Sequence, residues 1–196
     1  RLRNRLDEAE TKLTRLEVAG LATYRSVVTV LQRAELVERV GRVVEERALT
    51  MGEGGRIVYL QLHDLLSGVE STKRAVLRDY VKPLRTSAVN RALETLAALP
   101  GTDLEDPGRV CKEIGFPDID DPADPRGFRL LSQVGRLPDS VRDDIIKHFG
   151  SESRLLHASE EELLAVEGVG ETRAGQLRAY FERLLDTAHE WDPVFD

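Results

Sequence analysis

The chain has a single cysteine, Cys111, in 196 residues, so no internal disulfide can form. A buried structural thiol in a reducing compartment is the expected setting. It has no run of about 18 apolar residues to span a membrane. No signal peptide precedes Arg1, so nothing points to membrane or export. An initiator methionine is also missing. Arg1 opens what reads as the middle of a helix, which suggests a fragment.

No catalytic or metal-binding constellation is present. His63 has no second ligand at helical spacing. Gly52, Gly54 and Gly55 are followed by no lysine and serine or threonine of a phosphate loop. Asp118, Asp120, Asp121 and Asp124 lack the glycine and closing glutamate of a calcium loop, and a solvated linker suits them better. Carboxylates abound without a spacing that pairs an acid with a base. No catalytic residue, metal site or cofactor is therefore assigned to this chain.

Positive charge is scarce towards the C-terminus. Lysine and arginine number 17 against 13 acids in residues 1–100, 2 against 8 in 101–125, and 9 against 14 in 126–196. The last region, at −5 net, counts against a broad electrostatic grip on nucleic acid. Phosphate could still be held locally.

What the chain has is helical periodicity. Leu2, Leu6, Ala9, Leu13, Leu16 and Gly20 form a short heptad seam, expected to pack against later helices of the same chain, with a partner subunit's helix as the alternative. After Gly20 the phase slips, so the helix kinks or restarts, and Tyr24, Val27, Leu31 and Ala34 carry an apolar face on to about Leu49. The glycines at 52–55 end that helix. A short helix to about Ser67 follows, then one N-capped by Ser71 and running through Tyr80, then one from Thr86 to Leu99. Residues 101–125, with four prolines and eight acids, have linker composition; one helical turn at 110–114 is expected within them. Trp191-Asp192-Pro193 ends the last helix. The expected fold is all-α: a helical spine or bundle over 1–100, an acidic proline-rich linker over 101–125, and a hairpin domain over 126–196.

In that last region, Leu163 to Leu177 places Gly168-Val169-Gly170 between two helical stretches. Glycine permits a reversal too tight for side chains, and the amides of Gly170, Glu171, Thr172 and Arg173 then begin a helix with no carbonyl behind them. Such a cup suits phosphate, with Arg173 and Arg178 beside it, as in a helix-hairpin-helix motif. A plain αα-hairpin would use the same tripeptide. A second copy lies 32 residues upstream, with Val134 on Val166, Leu137 on Val169, Ile145 on Leu177 and Phe149 on Phe181. There Arg136 replaces Gly168 and Pro138 replaces Gly170, which removes one amide donor and makes a poorer cup. Ser159 and Glu162 spell a capping box at the start of copy two.

LQRAELVERVG at 31–41, GEGGRIVYLQLHDL at 52–65, PRGFRLLSQVGRLPDSV at 125–141 and LLAVEGVGETRAGQL together resemble the central and C-terminal parts of the DisA family of bacterial DNA integrity scanning proteins. The resemblance implies a spine followed by a tandem helix-hairpin-helix domain that binds branched or junction DNA irrespective of sequence, within a homo-oligomer. It also implies a diadenylate cyclase domain making cyclic di-AMP from ATP with a divalent metal such as Mg or Mn. The cyclase motifs, an Asp-Gly-Ala and an Arg-His-Arg, do not occur in this sequence. Only the hairpins carry over, as DNA-binding residues Gly168, Val169, Gly170, Thr172 and Arg173, joined by Arg178, and more weakly Arg136, Leu137 and Ser140. The competing class is an oligomerisation module that uses the heptad seam and the hairpins to bind protein.

Overall fold

The structure is a computed structural model and describes residues 1–135 and 137–189. Those residues form twelve helices and no strand. They fall into two compact units, one of residues 1–13, 23–77 and 81–121, the other of 14–22, 78–80 and 122 onwards.

The first unit is a helical bundle around α2. Helix α1 (Leu2–Val18) ends before Gly20, whose φ is +70°, and α2 (Tyr24–Leu49) starts afresh behind Thr23, so the phase slip is a restart. Leu6, Ala9 and Leu13 are buried inside this unit, so the middle of the heptad seam packs within the chain, while Leu2 and Leu16 are half-buried.

Helices α3 (Glu53–Leu66), α4 (Val69–Tyr80) and α5 (Thr86–Ala98) follow. Two starts differ from expectation. Gly52 caps α3, and Gly54 and Gly55 lie in its first turn. The reason is steric: α3 crosses α2 so closely that a Cβ on Gly55 would stand 1.8 Å from the Ala48 carbonyl oxygen, and one on Gly41 2.6 Å from Leu66. Gly68, in the left-handed region at φ +81°, caps α4 in place of Ser71.

Residues 101–121 also depart from the linker expectation. They fold into α6 (Gly101–Glu105) and α7 (Pro107–Ile114), and α7 packs on α2 and α5. The prolines that suggested a linker serve as helix starts: Pro107 holds N1 of α7 while the Asp106 carboxylate accepts from the Gly108 and Arg109 amides. Val110 and Cys111 are buried, and the Cys111 thiol donates to the Pro117 carbonyl at 3.1 Å. Buried charge in this unit is paired, with Lys73 Nζ on Glu35 at 2.7 Å and Glu38 at 2.6 Å, and Arg39 Nε on Glu35 at 2.8 Å.

The second unit holds α8 (Phe128–Ser132), α9 (Asp139–Phe149), α10 (Glu152–Leu156), α11 (Glu160–Leu164) and α12 (Glu171–His189). Adding 32 to the bounds of α8 gives those of α11, and adding it to the start of α9 gives that of α12. The repeat read in the sequence is a repeat of structure. Leu137, Val169, Ile145, Leu177, Phe149 and Phe181 share one core, with Val166 buried and Val134 half-buried against it. Gly150 stops α9 at φ +76°, donating its amide to Ile146. The 191–193 helix end lies outside the described residues.

A buried polar cluster organises the start of copy one. The Asp79 carboxylate accepts from the amides of Gly127 at 3.0 Å, Phe128 at 2.7 Å and Arg129 at 3.2 Å, capping α8 from 48 residues away in sequence. Arg126 Nη1 donates to the carbonyls of Arg78 and Asp79, which close α4. Arg129 clasps the Glu17 carboxylate at 2.8 and 2.9 Å, and the Tyr80 hydroxyl donates to the same group. Glu152 lies buried nearby. Three carboxylates thus face one guanidinium. Burial pushes Glu17 up from 4.5 to about 7, against the pull of Arg129 and of the Tyr80 hydrogen bond. Burial raises Glu152 as well, and the charges of Glu17 and Asp79 add to it.

Two outcomes are expected. Gly55→Ala should destabilise the chain by more than about 3 kcal/mol, since main chain cannot yield to a Cβ, while Gly54→Ala, with open space around it, should be neutral or stabilising by up to about 1 kcal/mol; urea unfolding followed by circular dichroism measures both. A carboxyl whose pKa rises on folding stabilises fully below its ordinary value and loses that contribution as pH rises through the folded one. For Glu17 the loss spans pH 4.5 to about 7. Burial raises Glu152 in the same direction, so Glu152→Gln, a neutral replacement, should gain in melting temperature over wild type as pH rises above the ordinary carboxylate range, as read by calorimetry.

Candidate functional site

The second hairpin starts where α11 ends. The Val166 amide donates to Leu163 and the Val169 amide to Val166, turning the chain through Gly168 at φ +81°. Gly168 is needed twice over, because a Cβ there would also stand 2.8 Å from Val141 Cγ2 on α9 of the other copy. Gly170 has neither constraint: its φ is ordinary and a Cβ would meet nothing within 4 Å. The expectation that both glycines serve the reversal is corrected on this point. What Gly170 contributes is bareness at a helix mouth.

At that mouth the Gly170 carbonyl accepts from the Ala174 amide at 2.9 Å, while the amides of Gly170, Glu171, Thr172 and Arg173 find no acceptor among the described residues. Gly170, Glu171 and Thr172 are exposed. Arg173 Nη1 donates to the Gly168 carbonyl at 2.7 Å, which fixes its guanidinium beside the amides. The other helix starts in this unit behave differently. Asp79 caps α8, Ser151 Oγ caps α10, and Ser159 caps α11 in the capping box read from the sequence. The second helix of each hairpin starts behind a residue, Pro138 or Gly170, whose side chain carries no acceptor; α8 starts behind Gly127 as well, but there Asp79 answers the amides.

Copy one is the weaker cup. Pro138 has no amide hydrogen, Ser140 is exposed on the first turn of α9, and Asp139 places a carboxylate there paired with Arg142 Nη1 at 3.0 Å. Both hairpins open on one cleft of about 660 Å³. Val134, Gly135 and Leu137 line it from copy one, and Gly170, Thr172 and Arg173 from copy two.

The sequence-derived residues divide accordingly. Gly170, Thr172 and Arg173 come together at the open cleft. Gly168 shapes the turn, and Val169 and Leu137 are buried core residues, Val169 with its amide already engaged. Arg178 is turned away from the cleft: its guanidinium donates to the Ala158 carbonyl at 3.2 Å and pairs with Glu182 at 3.0 Å. Arg136 lies outside the described residues. Gln176 also lines the cleft and was not singled out, although it stands four residues after Thr172 on the same helical face. Glu171 lines it too, a negative charge among the vacant donors. Among the described residues no group of three His, Cys, Asp or Glu could hold a metal ion, and no helix is long and apolar enough to cross a membrane.

Fold and site define an all-helical chain in which a bundle precedes a tandem pair of helical hairpins with vacant amide mouths. Residues 1–121 match the family model described as the DisA bacterial checkpoint controller linker region. The chain belongs to this DisA family. It is 40% identical over 195 residues to the DNA integrity scanning protein DisA of Streptomyces avermitilis, covering 96% of this chain and 52% of that protein. For the proteins of the same name from Acidothermus cellulolyticus and Kineococcus radiotolerans, identity is 39% and 37%, over 96% of this chain and 53% and 54% of theirs. The chain thus spans about half the length of these curated relatives.

The two hairpin glycines should separate in their effects on folding. Gly168→Ala is expected to lower stability by about 2 kcal/mol or more, from the positive φ and the Val141 contact, whereas Gly170→Ala stays within about 0.5 kcal/mol of wild type. Thermal unfolding of both variants measures the difference.

Proposed function

We propose that the second unit is a tandem helix-hairpin-helix domain that binds the sugar-phosphate backbone of DNA, with the amides of Gly170 to Arg173 as phosphate donors. The carrying observation is that these donors are unanswered and open onto a shared cleft, while neighbouring helix starts in the unit are capped from within. Arg173 supplies the local positive charge. Copy one adds Ser140 and the α9 mouth as a second, weaker foot. Arg136 belongs to the same proposal through its place in the hairpin sequence.

Amide-to-phosphate contacts position a duplex without reading bases, so binding is independent of sequence. Two feet in tandem suit backbones that converge, which is the basis for a preference for branched or junction DNA. The net charge of −5 over 126–196 keeps single-site affinity low, and avidity from several copies in a homo-oligomer supplies the rest. In the whole protein this binding is coupled to a diadenylate cyclase domain that uses ATP and Mg or Mn to make cyclic di-AMP. The present chain contributes the spine and the DNA contact and no chemistry. A cytoplasmic, nucleoid-associated location follows from that reading.

Fluorescence anisotropy with labelled duplex and four-way DNA at low salt tests it. Gly170→Pro removes one charge-assisted donor and Arg173→Glu reverses the nearby charge; each should weaken binding by roughly 10- to 100-fold. The salt slope should be shallow, no steeper than about −3, for two or three neutralised phosphates. Unchanged binding by both variants contradicts the proposal.

A further inference from the structure

One buried acid in the second unit has no partner. Glu152 is 3% exposed, and no described residue gives its carboxyl a hydrogen bond or an ion pair. The two other buried carboxylates among the described residues of this unit are answered, Asp79 by three amides and Glu17 by Arg129 and the Tyr80 hydroxyl. A buried carboxylate without donors is costly when ionised and far less so when it keeps its proton.

Its position ties that proton to the start of copy one. The Glu152 amide donates to the Pro125 carbonyl at 2.8 Å, and the Glu152 Cβ lies 3.8 Å from where a Cβ on Gly127 would stand. Gly127 caps α8, and Asp79 holds its amide at 3.0 Å. The charged and titratable groups that face Glu152 are Glu17 at the end of α1, Asp79 at the end of α4, Asp124 and Arg129 on either side of the α8 start, and Tyr180 of α12. Arg126 Nη1 is taken up by the Arg78 and Asp79 carbonyls. An ionised Glu152 thus adds negative charge where acids already outnumber the one guanidinium, beside the carboxylate that caps α8. A cleft of about 260 Å³ brings solvent to Glu17, with His157 on its wall, so protons can reach the cluster.

We propose that Glu152 is a proton-operated latch on the first hairpin: with its carboxyl neutral the start of α8 stays capped by Asp79, and with its carboxyl ionised that start opens while the core of α12 holds. The sign follows from burial. Opening returns Glu152 to water, where it ionises as an ordinary carboxyl, so opening releases a proton and is favoured as pH rises. Helix α8 leads into Val134, Gly135 and Leu137, which line the cleft from copy one, so the latch sets how well that wall is ordered. Its consequence for binding rests on the DNA-binding proposal: the weaker foot is in place in acid and is lost as pH rises above the ordinary carboxylate range.

Amide hydrogen exchange of the 196-residue chain tests it, read by nuclear magnetic resonance from about pH 5 to about pH 8 and corrected for the intrinsic rate. Protection at Gly127, Phe128 and Arg129 should fall by roughly tenfold or more, one released proton giving at most about tenfold per pH unit, while Leu177 and Phe181 of α12 keep theirs to within about threefold. Glu152→Gln should lose most of that fall. A carbon-13 titration of the wild-type carboxyls reads the proton itself, and Glu152 should titrate above the ordinary carboxylate range. Flat protection at α8, an equal fall at Leu177 and Phe181, a full fall retained by Glu152→Gln, or a Glu152 that titrates as an ordinary carboxyl would each overturn the proposal. No DNA takes part in these measurements, so their failure leaves the DNA-binding proposal standing.

Discussion

Every α-helix begins with amides that its own carbonyls cannot reach, and the second unit is shaped by how each set is answered. A carboxylate from the end of α4 answers those of α8, and serine hydroxyls answer those of α10 and α11. The second helix of each hairpin is left out. Proline and glycine stand where a capping side chain would, and the mouth of α12 opens onto a cleft that Val134, Gly135 and Leu137 of copy one also line. A residue able to cap α12 from within would have answered its amides as Ser159 answers those of α11.

The geometry depends on contact between the two copies. Gly168 lies against Val141, so the turn of one hairpin rests on the second helix of the other, and both share a continuous core from Leu131 to Phe181. The Asp79 and Glu17 cluster anchors the first copy at the start of α8. That anchorage concentrates three buried carboxylates around Arg129, and it ties the unit's stability to the protonation of Glu17, raised to about 7, and of Glu152, raised in the same direction. A fully apolar anchor would lack this dependence, and it would also leave the α8 amides without an acceptor.

Much of this was legible in the sequence, for reasons that vary by element. The 32-residue repeat showed because buried positions of stacked copies must recur in register, and Ser159 with Glu162 showed because a capping box is a local pattern. The start of α3 did not show. Gly54 and Gly55 argue against a helix by propensity, and only the approach of α2 explains why glycine is required at one of them. Residues 101–121 misled in the same way, since proline at N1 of a short helix and proline in a linker look alike until Asp106 is seen capping α7. Arg178 was placed at the cup by sequence proximity alone, whereas its direction is set by the Ala158 carbonyl, a contact without local signature. The α8 cap from Asp79 is invisible for that reason too.

The acidic balance of the region limits what the cup can do. With Glu171 and Asp139 at the two mouths, the chain offers phosphate a few directed donors and little long-range attraction, so recognition depends on geometry more than on charge. The most direct measurement of the central claim is an amide-resolved nuclear magnetic resonance titration of the chain with short duplex DNA. The account predicts the largest shifts at the amides of Gly170, Glu171, Thr172 and Arg173, with smaller ones at Asp139 and Ser140. Shifts confined to other surfaces, with these amides unmoved at saturation, would contradict it.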